Sequence, residues 1–462
     1  MGLLSRLLGR PAPLPTVRRF DAAGGGRRWE GVPNFGRVSA ETLAAAGPIR
    51  SRARYAVANN PWSASGVAAL VTGLVGSGIS AAPSHPDLST RATIEGAFAA
   101  WLKAADVEGR TDLYGLQAQV ARALVVDGES FVQMVTLPEG LRLRLLPAEM
   151  VDESYTADLQ NGAYAVAGIE FDPMGRRVGY HVLKARPTDV FSYSADRVRI
   201  PASDMLHIMQ PMGAGQVRGI SWLAPVLLRL SELDQLEDAL GVGVKTAAMF
   251  AGFLVDQNGA GEPFDGKAQD GILSQGLEPG VLQRLPHGFD IKFSAPQQAQ
   301  QTAEFVAHSI RAVAAGLGVP AYLVSGNLSE ANFSSLRAGM AAFRQRLQQI
   351  QHGVLIPQLC DPVFKRAVTL AMLQGDIAFG GDPAAYTAAD HYPSPQPYVD
   401  PEKDIAATVA AIEAGLLSRR QAVAAGTGRA IEDLDAEIAA DRAREVEMKL
   451  NLGGPANGPA NA

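Results

Sequence analysis

Seven histidines and one cysteine are the scarce reactive groups of this chain, and no histidine stands at metal-ligand spacing from a second histidine or from Cys360. Patterned catalytic chemistry is missing too. There is no GxxxxGK[ST] phosphate loop, no HExxH, no GxSxG elbow and no GxGxxG following a strand. His207 follows the strand-like DML and reads as a core or turn histidine. Glu232, Asp234, Glu237 and Asp238 are four carboxylates within seven helical residues, which cannot converge on one cation. Asp234, Glu237 and Asp238 share a face, so they read as a solvated or channel-lining acidic strip. The stretch 331–360 has no acid and carries Arg337, Arg344 and Arg346. These are either a weak phosphate contact or ordinary solvated arginines.

Composition narrows the classes further. The chain has 462 residues, 47% hydrophobic and 19% charged, which excludes intrinsic disorder and suggests several structural units. A formal charge of −6 leaves no global basic field, so contact with DNA must be local or weak. A lone cysteine excludes an internal disulfide and fits synthesis in a reducing cytoplasm. No secretory signal is visible, because Arg6 interrupts the apolar run MGLLSRLLG. The uncharged stretch 55–86 has an apolar part, 67–75, too short for a bilayer span of about 20 residues. It reads as a buried helix turning into a strand at the Gly76–Gly78 GSG. No cofactor and no membrane partner are expected, and no enzymatic activity.

The elements that would position the charged residues follow from periodicity. Residues 1–54 hold ten Arg against Asp21, Glu30 and Glu41, a net of +7, so the remaining chain sums to −13 of the total −6. With GGG at Gly24–Gly26 and no sustained period, 1–54 reads as a flexible basic arm, either solvated or touching nucleic acid or an acidic neighbour. Residues 94–126 are helical. Between 129 and 183 the short runs SFVQMVTL, LRLRLL, YAVAGIEF and GYHVL read as strands separated by turn signals, giving an α+β fold class. A helix capped by Ser221 follows, with Pro225 in its first turn and a stripe of Leu223, Leu227, Leu230, Leu233, Leu236 and Leu240. Residues 255–300 lose the helical period. Further helices are expected over 303–317, over 334–373 with interruptions near Pro357 and Pro362, and as a C-terminal pair over 401–415 and 418–447. Residues 376–400 read as irregular, and the GGPANGPANA end, 451–462, as a disordered tail.

Four segments in order resemble the portal proteins of lambda-type tailed phages. They are GQVRGISWLAPVLLRLSELDQLEDA, LEPGVLQRLPHGFDIKF, GLGVPAYLVSGNLSEANFSSLRAG and VDPEKDIAATVAAIEAGLLSRRQAV, with weaker echoes in ARALVVDGESFVQ and GIEFDPMGRRVGYHVL. The resemblance implies a mostly helical portal fold: an α/β wing (55–220), a split stem (221–254 and 301–319) and a clip insertion (255–300). It also implies a tunnel loop (320–333), a long wing helix (334–375) and a helical crown (376–450). It implies a ring of copies, typically twelve, at one vertex of the virion capsid, with the leucine stripe buried against its own wing and an adjacent copy. DNA would pass through the channel in weak, non-specific contact. Implied partners are the terminase large subunit, the major capsid protein and scaffold, and head-completion or tail adaptor proteins. The channel residues would be Asn327, Leu328, Ser329, Glu330, Asn332, Phe333 and Arg337, with Asp234, Glu237 and Asp238 as the acidic stem face. An Asp commonly stands where this chain has Asn327. The rival reading is a DNA-processing enzyme, a nuclease or recombinase, which would need convergent carboxylates from several segments.

Overall fold

The computed structural model describes residues 35–185, 196–249, 253–255, 267–269, 272–274, 283–285, 299–329, 333–398 and 400–450. The chain enters through α1 (Val38–Asn59), in which Thr42, Ala46, Arg50, Ala53 and Val57 form one buried stripe. This corrects the reading of 1–54 as a flexible arm: its last 17 residues are helix, and 1–34 lie outside the described residues. The period escapes notice because an arginine holds a core position. Asn60 then caps α2 (Pro61–Val75), accepting a hydrogen bond from the Ser63 amide at 3.0 Å, with Pro61 at the first helical position. Gly76 and Gly78 take φ of 56° and 126° and turn the chain into β1 (Ser80–Pro83), as expected. No helix among the described residues is long and apolar enough to cross a membrane.

Asp87 and Asp112 cap α3 (Leu88–Leu102) and α4 (Leu113–Val126), so the helical stretch expected over 94–126 is two helices, broken over 103–112 where Asp106 accepts the Glu108, Arg110 and Thr111 amides. Strand β2 (Glu129–Leu137) pairs antiparallel with β3 (Gly140–Leu146). An antiparallel sheet follows from β4 (Ala157–Asp158), β5 (Tyr164–Val166), β6 (Ile169–Phe171), β7 (Arg177–Leu183) and β8 (Arg197–Pro201), in that spatial order. Strand β9 (Met205–Met209) returns to the other edge of β2. Phe131, Ile169, Tyr180, Val182 and Met205 fill a small core between the two sheets. The main core lies on the helical side, where α2 and α4 meet the helices that follow.

Residues 221–226 are turns, and the next helix, α5 (Leu227–Met249), starts one turn later than Ser221 predicts. Ser221 still accepts from the Leu223 amide at 3.2 Å, but it caps a turn that Pro225 keeps from joining the helix. Strand β10 (Phe253–Val255) begins inside the segment 221–254 assigned to helix, and pairs parallel with β13 (Gln283–Leu285). Between them in sequence, β11 (Lys267–Gln269) and β12 (Ile272–Ser274) pair antiparallel. Helix α6 (Ala299–Leu317) closes this insertion. The expected loop 320–333 is shorter than its range, because α7 (Ala321–Ser325) buries Val324 and Ser65 Oγ donates to the Leu323 carbonyl at 2.7 Å.

Helix α8 (Phe333–Ile350) runs without a break through a π-helical stretch, Gln351–Cys360, into α9 (Asp361–Gln374). The interruption expected near Pro357 is a change from α to π ladder over Gln351–Cys360 and not a break in the helix, and none occurs at Pro362. Pro362 sits in the first turn of α9, and the widened π ladder absorbs the donor that Pro357 lacks. A short α10 (Pro383–Tyr386) precedes β14 (Ala389–Tyr392), which pairs antiparallel with β1. Residues 376–400 are therefore not wholly irregular, and 389–392 are stitched to the N-terminal part of the chain. The expected C-terminal pair is three helices, α11 (Pro401–Glu413), α12 (Arg419–Thr427) and α13 (Ile431–Met448). The split falls at Gly428, whose φ of 65° ends α12.

Candidate functional site

The charged residues singled out in the sequence are carried by α5, the turn after α7, and α8. Leu223, Val226, Leu230 and Leu233 are buried with Ile310, Val313, Ala314 and Leu317 of α6 in the main core. Burial fades beyond Leu233: Leu236 and Leu240 are half-buried and Val242 is exposed. The first half of α5 is thus anchored in its own chain and the second half extends away from that core.

The acidic strip divides in two. Asp234 accepts from Asn60 Nδ2 at 2.8 Å and Glu237 from Trp62 Nε1 at 3.2 Å, so both hold the α1–α2 corner and are half-buried. Asp238 is exposed, as is Glu232. Among the described residues no group of three or more His, Cys, Asp or Glu is arranged to hold a metal ion.

After α7 the chain turns at Gly326, φ 67°. Asn327, Leu328 and Ser329 are exposed. The Ser325 hydroxyl accepts from the Asn327 amide at 3.1 Å and the Asn327 side-chain oxygen from the Ser329 amide at 2.9 Å, two local turns that stiffen the start of the segment. Glu330 and Asn332 lie outside the described residues. Phe333 opens α8.

Of the two readings of the arginines of α8, a weak phosphate contact or ordinary solvated groups, the second does not hold, because each has a partner within the chain. Arg346 donates Nη1 to the Leu317 carbonyl at 2.6 Å and lies over the Trp222 ring, 6.0 Å from its centre. Burial pulls its pKa below the usual value. Arg344 Nη2 donates to the Pro397 carbonyl, and Arg337 Nη2 pairs with Asp404 of α11. The partner of Arg337 is 67 residues away in sequence, beyond the reach of spacing arguments.

A second polar centre, missed from sequence, sits where β2 and β9 meet the segment leading to α5. Glu129 is fully buried. Its Oε1 accepts from Arg218 Nε at 2.8 Å and Arg50 Nη2 at 3.4 Å, and its Oε2 from the Gly219 amide at 2.7 Å and His207 Nε2 at 3.0 Å. Arg218 spends its remaining donors on the carbonyls of Ala148, Val151 and Ala167 and on Glu153. Burial opposes charge on Glu129, but Arg218 and His207 outweigh it and hold the carboxyl far below the usual range. Burial also lowers His207, against the pull of Glu129, to about 4. The imidazole is therefore neutral, and with Nε2 donating, its Nδ1 has no partner. The expected core histidine is thus the edge of an ionic hub.

Backbones approach closely beside the hub. A Cβ on Gly128, φ 89°, would fall 2.0 Å from the Ile220 carbonyl carbon, and one on Gly219 would fall 2.2 Å from the Gly128 oxygen. The hub therefore clamps the chain that enters α5 directly onto the start of β2. The sequence offers little to find the hub: Glu129 stands between Gly128 and Ser130 at the start of β2, and Arg218 lies outside any strand, next to Gly219.

The family model described as phage portal protein, lambda family, matches residues 25–351. The probable portal protein of Halomonas phage phiHAP-1 is 26% identical over 349 residues, which cover 72% of this chain; this chain spans 66% of that protein's length. The portal protein of Escherichia phage N15 is 24% identical over 435 residues, covering 83% of this chain and 80% of that protein. Among solved structures, a chain from the neck of a native gene transfer agent particle computed with C12 symmetry is similar at 16% identity and a TM-score of 0.42. That match covers 87% of this chain and 95% of the other.

Proposed function

The chain belongs to the lambda family of phage portal proteins, and from that membership we propose that it assembles into a ring at one vertex of the capsid. DNA is driven in through the central channel by the terminase large subunit and later leaves by the same route. Helices α5 and α6 form the stem, and the strand-bearing insertion between them is the clip, where terminase and then the head-completion proteins dock. The body preceding α5, closed by β14, is the wing. The C-terminal helices α11–α13 form the crown. The protein is a structural component of the virion, and its channel wall has no catalytic role.

One observation carries this reading beyond family membership. The pair α5 and α6 brackets a strand-bearing insertion and leads, through α7, straight to an exposed polar turn at 326–329. A translocating channel must not trap its cargo, since each neutralised phosphate adds affinity. An exposed turn with asparagine and serine at its tip, and exposed Glu232 and Asp238 on α5, meet that requirement. Gel filtration with negative-stain imaging of the purified protein tests the proposal. Rings of roughly twelve copies with a central hole are expected. A small oligomer that cleaves DNA in the presence of a divalent cation would overturn it.

A further inference from the structure

Building on the portal reading, we propose that Asp404 masks a phosphate-binding face of α8, and that duplex DNA engages this face only when its phosphates displace the Asp404 carboxylate from Arg337. A carboxylate and a phosphate oxygen offer a guanidinium the same charge-assisted, often bidentate, contact. Asp404 therefore occupies the position that a backbone phosphate would take.

Two arginines of α8, the exposed Arg337 and the half-buried Arg344, meet at one place. Arg346 is spent on Leu317 and Trp222, which leaves Arg337 and Arg344 facing a cleft of about 700 Å³ between α8, residues 391–398 and the helices α11 and α12. Among the described residues lining it, Asp404 is the sole carboxylate. Arg344 reaches the Pro397 carbonyl with Nη2, while its buried Nε has no hydrogen-bond partner among the described residues. The cleft is thus a cationic recess with one internal anion.

That anion is positioned by its own helix. The second oxygen of Asp404 accepts the Asp400 amide at 3.3 Å, so the first turn of α11 aims the free oxygen at Arg337. Arg337 also helps to hold the Asp400 carboxyl below its usual range, after Lys403. The support is weakly anchored, because α11, α12 and α13 bury none of their own residues. Ionic contacts tie them down at Arg337–Asp404 and, at 3.9 Å, Arg91–Glu432. The side chain of Arg337 is 44% exposed and that of Asp404 18%, so the pair is open to solvent on its arginine side, where ion pairs are modest and screened by salt. A phosphate can compete with such a pair.

Asp404→Asn is the direct test, since asparagine keeps an oxygen for the Asp400 amide but loses the charge. Purified rings are titrated with a fluorescent duplex of about 30 base pairs across a salt series. D404N rings are expected to bind at least about threefold tighter than wild type at about 100 mM salt, with a steeper salt dependence. The double variant Arg337→Ala, Asp404→Asn should return to wild-type affinity. Unchanged affinity in D404N rings overturns the proposal, as does a gain that survives loss of Arg337. Should D404N rings not form, hydrogen exchange of wild-type rings decides. Saturating duplex should accelerate exchange in residues 401–409 if Asp404 is displaced, and unchanged exchange there rejects the displacement. Failure of the portal reading itself would appear separately, as absence of wild-type rings.

Discussion

Glu129 is the residue on which the interior depends most, because its charge is buried and every partner of it is structural. Replacing one member of a buried ion pair leaves the other charge uncompensated, a loss of about 3–5 kcal/mol. Glu129→Gln should lower the urea midpoint of unfolding accordingly, and an unchanged midpoint would show that Arg218 finds other compensation. The neutral His207 supplies a second expectation, whose sign follows from linkage. Its folded pKa of about 4 lies below the unfolded value near 6.5, so the unfolded chain binds more protons in that window. Stability from this residue is complete above about 6.5 and is lost as pH falls towards 4. His207→Gln should flatten the dependence of the urea midpoint on pH between those limits; an equally steep curve would assign it to other groups. None of this was legible from spacing. Glu129, His207 and Arg218 come together across separations of 78 and 89 residues, with no motif to mark them, whereas His207 as a core residue could be read from the apolar residues around it.

At the scale of elements, helical and strand periods were legible wherever apolar residues alone defined the face. The turn at Gly76–Gly78, helices α3, α4 and α6, and strands β2, β3 and β7 follow directly from pattern. Helix α1 did not, because Arg50 occupies one position of its buried stripe, and β14 did not, because its alternation is short and its partner lies at the far end of the chain. The leucine stripe of α5 was read as a packing face, and within its own chain its fully buried members end at Leu233. Leu230 is 1% exposed within its own chain, so Leu230→Ala should cost about 2–5 kcal/mol of subunit stability, read in the urea midpoint, before any ring is considered. Leu228, 74% exposed on the same helix, is the residue that tests contact between copies. Leu228→Ser should leave the urea midpoint of the subunit unchanged and shift gel filtration from rings towards smaller species. Intact rings from that variant would remove this face of α5 from the interface.

For the whole molecule, the exposed segment after α7 tests whether channel and assembly are separable. Deleting 328–332 leaves α7 packed on α2 and the body of α8 in place, so rings should form and enter capsids. Packaged DNA from nuclease-treated particles should then be shorter or scarcer on a gel. Full-length genomes at normal yield would take the segment out of the mechanism, and failure to form rings would make its role structural. Arg337 belongs to a different test, since its tie to Asp404 means that its loss also loosens α11. The pairing of β1 with β14 has a consequence in time. Ser80 and Tyr392 are 312 residues apart, and the strand between them in space cannot form until the second partner exists. A contact of that separation closes late and slowly, after local helices and hairpins have settled. On the ribosome, β1 must wait unpaired until residues 389–392 have emerged. A chain cut short before residue 389 would keep that edge of β1 unpaired.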